Sequence, residues 1–274
     1  MKELNNKTAV ITGAASGIGL ALTERCIGEG MKVVMADIEA PKLSLEAARL
    51  RDAGGDVLDV VVDVADDVQV EALKDAALGA YGAVHLLVNN AGVASGRTHL
   101  RSRPADLRWV MGVNVLGVAY GVSTFGRLMV EQGEGHIVNT ASEAGLSATP
   151  FLGSYHTSKY AVVGLSEALS MELAGTGVGV SCLCPELVDT KIFESTRNAP
   201  ADTGLPMPPE IPIDQIEAMM GTTAMDPADV AADIIYAVKA NRFWIITHQV
   251  TLDRIATRNR DLELGRAPRS PMGG

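Results

Sequence analysis

The chain has 274 residues, 47% of them apolar, and a formal net charge of −10. Such a length and composition suit one α/β domain with a large core, and the acidic balance argues against nucleic acid or a polybasic membrane contact. Three cysteines, Cys26, Cys182 and Cys184, make no even disulfide framework, the polar N-terminus leaves no space for a signal peptide before a strand starts by Thr8, and no run reaches the roughly eighteen uninterrupted apolar residues of a membrane span. A reducing cytoplasm is the expected location.

In chain order, residues 7–12 read as a short buried strand and residues 20–27 as a helix, with Gly13, Ser16, Gly17, Ile18 and Gly19 between them. Glycines at a strand-to-helix junction permit a tight turn and close backbone approach, and amides at the helix start can meet a pyrophosphate. The spacing is Gly-x3-Gly-x-Gly, and alone it is equally the signature of a structural turn. Residues 31–36 form a second apolar strand, and Asp37 follows it. An acid at this distance from the glycine turn can accept hydrogen bonds from ribose hydroxyls and repels a 2′-phosphate. Asp37, Ile38 and Glu39 bring no cation, nor does the glycine turn, so NAD is expected rather than NADP.

Further on, a helix near 41–53, a strand near 57–62, a helix near 66–81 and a fourth strand at 84–88 alternate. Two helical stretches lie between 104 and 132, a fifth strand at 135–141, a helix at 153–175, a sixth strand at 178–184 and a seventh at 242–247. Continuous apolar strands separated by helices predict a single-domain, doubly wound, Rossmann-type parallel sheet of about seven strands covered on both faces. The domain is expected over 1–257. Residues 191–226 break the alternation, with five of the twelve prolines between Pro200 and Pro212. An insert after strand six lies at the carboxyl end of the sheet, where ligands bind, so it reads as a substrate lid. Leu205, Met207, Ile211, Ile213, Met219 and Met220 are its candidate apolar contacts. The Arg-rich tail, 258–274, is expected to be irregular or an interface arm.

The helix at 153–175 carries Tyr155 and Lys159, four residues apart and so on one face. A phenol, with an ordinary pKa near 10, is poorly matched to proton transfer at neutral pH, and an adjacent ammonium favours phenolate. His156 points about 100° away from Tyr155 on the same helix. His85 and His136 sit in strand patterns, and no histidine is assigned to catalysis. Cys182 and Cys184 face the same way along a strand, but nothing nearby completes a metal site, and none is expected.

These motifs, in this order, identify the chain as resembling the short-chain dehydrogenase/reductase family over about residues 5–250. The family's glycine motif matches 12–19, its adenine-pocket acid matches Asp63 with Val64 beside it, and its Asn-Asn-Ala-Gly motif appears as Asn89, Asn90, Ala91 and Gly92. The resemblance implies catalytic roles for Asn114, Ser142, Tyr155 and Lys159. Ser142 would polarise the substrate oxygen, Lys159 would also bind the nicotinamide ribose, and Asn114 would hold a relay water. Pro185, Val188 and Thr190 would border the nicotinamide. Where the family has Pro-Gly after strand six, this chain has Pro185-Glu186, and Glu143 directly follows Ser142. Both acids read either as ordinary loop residues or as a pair bordering the substrate, which would attract an amino alcohol. The implied activity is NAD-dependent interconversion of a secondary alcohol and a ketone, with a medium-sized apolar alicyclic, aromatic or steroid-like substrate. A 3-oxoacyl-carrier-protein reductase and a catalytically silent NAD-binding protein are the alternatives. Apolar residues around the helices near 113–129 and 153–175, among them Leu116 and Met171, suggest subunit packing in a homodimer or homotetramer.

Overall fold

The computed structural model describes residues 1–150, 152–205, 217 and 222–269. Its strands are β1 (Thr8–Thr12), β2 (Lys32–Asp37), β3 (Val57–Val61), β4 (Leu86–Asn89), β5 (Gly135–Thr140), β6 (Val178–Cys184) and β7 (Trp244–Ile246). They form one sheet in the order β3-β2-β1-β4-β5-β6-β7, with every pairing parallel. The Rossmann-type sheet expected from the alternation is therefore present. Strand order reverses between β1 and β4, and the crevice opens beyond their carboxyl ends.

Side-chain alternation sends successive strand residues to opposite layers. Ala9, Ile11, Val33 and Met35 pack with Leu22 of α1 (Gly17–Gly28), Leu43 of α2 (Ala40–Asp52) and Ile234 near the chain's end. Val10, Val34, Leu87 and Ile137 pack the other way, against Leu73 of α3 (Asp67–Tyr81) and Phe125 and Met129 further on. Phe125 is fully buried, and a sealed aromatic ring is worth about 3–5 kcal/mol against alanine.

The two helical stretches expected between 104 and 132 are α4 (Pro104–Met111) and α5 (Gly117–Gln132), joined by a π turn over Gly112–Leu116. By length and composition Pro104–Gln132 could cross a membrane, but 44% of its most apolar window is buried in this fold. Helix α6 spans Gly153–Glu172 and stops before Gly175, whose φ of 83° is a left-handed value, so the expected run to 175 is a little long. The seventh strand shrinks from six expected residues to three, because at the sheet edge it pairs with β6 alone.

After β6, Lys191–Asn198 and Ala201–Thr203 form short 3-10 turns. The insert's base is closed by a bridge between Val188 and Met225. Of the expected lid contacts, Leu205 is described, whereas Met207, Ile211, Ile213, Met219 and Met220 lie outside the described residues. Helix α7 (Pro227–Ala240) then packs on α1, and α8 (Gln249–Glu263) follows β7. The tail expected to be irregular from Arg258 is helical up to Glu263. The helix runs on because its first glycine is Gly265, with φ 63°. Arg269 then returns to grip Asp261 with two hydrogen bonds of 2.8 and 2.9 Å.

Candidate active site

A cavity of about 830 Å³ runs along the carboxyl ends of the strands. It is bordered by Gly13, Ser16, Gly17, Ile18, Asp37, Ile38, Asp63, Val64, Asn90, Ala91, Gly92, Ser142, Tyr155, Lys159, Pro185, Val188 and Thr190. Gly19 and Asn114 do not border it; they support residues that do.

At the turn after β1, Gly13 has φ 66°, and a Cβ there would lie 2.9 Å from the Ala91 Cα. Gly19 packs under the same turn, where a Cβ would strike the Gly13 carbonyl oxygen. Only glycine fits both places. The first intrahelical bond of α1 is from the Leu20 amide to the Ser16 carbonyl at 3.2 Å. The amides before it lack a helical partner, and no acid stands in the first turn. Asp37 accepts the Ala15 amide at 2.9 Å on one oxygen and the Glu39 amide at 3.0 Å on the other. The carboxylate thus fixes two turns and keeps lone pairs for further donors. This cradle fits a dinucleotide.

Asn90 is spent on the scaffold: its amide group donates to the Thr12 carbonyl at 2.9 Å and the Gly13 carbonyl at 3.3 Å. It ties β4 to β1 across the crevice. The side chain of Asn114 is likewise saturated. Its Nδ2 donates to the Val93 carbonyl and Ser158 Oγ, both at 2.9 Å, while its Oδ1 accepts the Val93 amide at 2.8 Å. Any relay through Asn114 must use its backbone, and it sits in the π turn, where the regular helical bond pattern is interrupted.

Ser142 ends the segment after β5, buried, with its hydroxyl donating to the Pro185 carbonyl at 3.3 Å and accepting the Ala144 amide at 3.1 Å. The Lys159 ammonium donates to the Thr140 carbonyl at 2.8 Å and lies 5.5 Å from the Tyr155 ring centre. Burial pushes Lys159 down to about 8. The Tyr155 phenol is raised, chiefly by burial and further by Glu143, and the hydrogen bond with Ser142 only partly offsets this. Burial disfavours phenolate; the lowering expected from Lys159 acting with the oxidised nicotinamide belongs to the complex.

His156 also borders the cavity, with both ring nitrogens engaged by the loop that follows Ser142. Its Nε2 accepts the Thr149 amide at 3.1 Å, so the proton sits on Nδ1, which donates to the Ala144 carbonyl at 2.8 Å. His136 is buried in the core, as its strand pattern suggests. Cys182 and Cys184 touch at 3.7 Å between their sulfurs.

Four cations that motif reading did not find also border the cavity: Arg108, Lys191, Arg197 and Arg254. Arg197, in the insert after β6, donates from Nε to Glu39 at 2.6 Å, and Asn198 donates to the same carboxylate at 2.9 Å, joining the insert to the β2–α2 turn. Arg254, on α8, bonds Glu186 at 2.5 Å and lies 3.5 Å from Glu143. No local signal marks Arg254, since it reaches the site only through the packing of the last helix. Its guanidinium stands between the two acids and offsets one of their two charges.

A parallel sheet with a glycine turn, an acid after β2 and a Ser-Tyr-Lys set in one crevice defines a dinucleotide-binding enzyme site. Residues 7–201 match the short chain dehydrogenase family, and the chain belongs to it. Among solved structures it is similar to a short chain dehydrogenase/reductase from Burkholderia phymatum in complex with NAD, at 43% identity and TM-score 0.90 over 99% of both chains. It is 35% identical to a 1-deoxy-11-beta-hydroxypentalenate dehydrogenase from Streptomyces avermitilis, over 95% of this chain and 91% of the relative. It is 37% identical to 3beta-hydroxysteroid dehydrogenase 2 from Eggerthella lenta, over 74% of this chain and 78% of the relative.

Proposed function

We propose that this oxidoreductase interconverts a secondary alcohol and a ketone with NAD as cofactor. The observation that carries the reading is one cavity bordered by the glycine turn, Asp37, Ser142, Tyr155 and Lys159. Gly13, Ser16, Gly17 and Ile18 would hold the pyrophosphate, Asp37 the adenosine ribose, and Asp63 and Val64 the adenine. Asn90, Ala91, Gly92, Pro185, Val188 and Thr190 would flank the nicotinamide half. When bound, the nicotinamide supplies the hydride acceptor or donor. Tyr155 exchanges the hydroxyl proton of the substrate, Ser142 donates a hydrogen bond to its oxygen, and Lys159 orients the ribose and adds positive charge near the phenol. The raised Tyr155 leaves a protonated phenol ready for ketone reduction; alcohol oxidation requires the positive charge of the oxidised cofactor to bring it down.

The substrate end is bordered by Trp109, Val113, Leu152, Leu187, Ile192 and Phe193, which suits a medium-sized apolar ring system. The named activities of the alicyclic and steroid relatives support the same class. Three buried free thiols fit a reducing cytoplasm. Exposed apolar side chains Leu116 and Met171 on the flanking helices support a homodimer or homotetramer. The reading is tested by incubating the protein with NAD and a panel of alicyclic and aromatic secondary alcohols while following NADH absorbance. Turnover of at least one is expected, and none across the panel would overturn it.

A further inference from the structure

The substrate end of the cavity carries charge that the reaction proposed above does not use. Glu143 from the turn after β5, Glu186 from the loop after β6 and Arg254 from α8 converge there from three distant parts of the chain. Glu186 is fully engaged: Arg254 takes one oxygen at 2.5 Å, and Thr222 donates to the other at 3.3 Å, in a side chain only 1% exposed. Glu143 is not. Its Oε1 accepts the Ser147 hydroxyl and faces Arg254 at 3.5 Å, but Oε2 meets no partner among the described residues, although the side chain is only 8% exposed. Arg254 uses Nη1 alone; Nε and Nη2 meet no acceptor among the described residues. None of these three atoms is among the fully buried polar atoms left without a partner, and both residues border the cavity.

Among the described residues, the cavity wall therefore holds an unpartnered acceptor on Glu143, next in sequence to Ser142, and unpartnered donors on Arg254. A substrate carboxylate would suit Arg254 but face two carboxylates. An ammonium would suit Glu143 but face the guanidinium. A hydroxyl donates to one and accepts from the other without adding charge. A mono-alcohol would displace water from both groups and leave them unpaired, which a site built around polar partners penalises strongly.

Resting on the alcohol–ketone reading, we propose that Arg254 and Glu143 form a subsite for a second hydroxyl of the substrate, close to the reacting carbinol. The preferred substrates are then diols and their hydroxyketone products rather than simple secondary alcohols.

The test compares trans-cyclohexane-1,2-diol, trans-2-methylcyclohexanol, trans-2-aminocyclohexanol and 2-hydroxycyclohexanecarboxylate, with a matching series on the indan-1-ol scaffold, as substrates of the full chain with NAD. The diol is expected to exceed the methyl compound by about tenfold or more in kcat/KM, with the amine and the carboxylate below the diol. The same ranking is expected in calorimetric binding to the Tyr155→Phe protein with NAD, a readout independent of turnover. The double variant Arg254→Met with Glu186→Gln removes the donors together with the carboxylate that Arg254 pairs most closely, and Glu143→Gln changes the acceptor. Each should bring the diol-to-methyl ratio toward one, whereas a merely structural role would weaken both compounds together. Turnover without a diol preference, or a preference that survives both variants, overturns the subsite alone. No oxidation on either scaffold overturns the reading on which it rests.

Discussion

Tyr155 and Lys159 are each disfavoured as ions by their own burial, and this shapes two expectations. Tyr155→Phe keeps the ring and its packing but has no proton to exchange. It should retain NAD binding by fluorescence titration and lose turnover, and more than about a tenth of the kcat would contradict the acid/base role, given the roughly 10²–10⁴-fold worth of such catalysis. Lys159 is pushed down to about 8 by burial. Below that pH it is an ammonium in both folded and unfolded chains, and the desolvation cost is fully present in the fold. Between about 8 and the ordinary lysine value the folded chain sheds its proton first, the unfolded chain binds more protons, and stability rises with pH. Lys159→Met should therefore raise the Tm of the cofactor-free protein at pH 7 by ~2–4 °C, on the order of 1 kcal/mol, with the gain shrinking above pH 8. Calorimetric scans at pH 7 and pH 10 would show it, and an equal or growing gain at pH 10 would refute the linkage.

At the scale of elements, we propose that the turn between β2 and α2 governs cofactor choice. Asp37 supplies the anion, Ile38 is 48% exposed at the cavity, and Glu39 engages Arg197 and Asn198 of the insert. Arg197 therefore brings a cation near the adenosine end, but its Nε is already committed to Glu39. Replacing Asp37 by Ser and Ile38 by Arg removes the repulsion toward a 2′-phosphate and adds a partner for it. The ratio of kcat/KM for NADP to that for NAD should rise by at least tenfold, an effect on the order of 1.4 kcal/mol. A wild-type chain that already uses both cofactors equally would sink the assignment of Asp37. Some loss of thermal stability should accompany the change, because Ser cannot accept both the Ala15 and Glu39 amides as Asp37 does.

For the whole molecule, the apolar surface of α5 and α6 divides in two. Val118, Phe125, Val162, Val163 and Leu169 are buried within the single chain, which accounts for part of the apolar run that suggested subunit packing. Leu116, Val130 and Met171 remain exposed on the outer side. Sedimentation velocity at micromolar concentration is expected to show a dimer or larger, and Leu116→Lys with Met171→Lys to shift it toward monomer with the fold intact by circular dichroism. A monomeric wild type would leave these side chains as ordinary surface residues.

The sheet, the order of its elements and the placing of the glycine turn, Asp37 and the Tyr155–Lys159 pair were legible in the residues alone. Strand and helix periodicity, the conformational needs of glycine and the four-residue spacing along a helix are local properties of a chain. The balance at Tyr155 was not legible, because it depends on how much solvent the folded walls remove. Asn90 and Asn114 were recognisable by motif, but their side chains turned out to be committed to backbone groups of β1 and the β4 loop. Arg254 had no signal at all: it lies 68 residues from Glu186 and meets it only because α8 packs beside the cavity. Sequence determined the glycine turn, Asp37 and the Tyr155–Lys159 pair; tertiary structure decided which charged side chains border the cavity with them, because a cavity wall is assembled from side chains whose neighbours in space are remote along the chain.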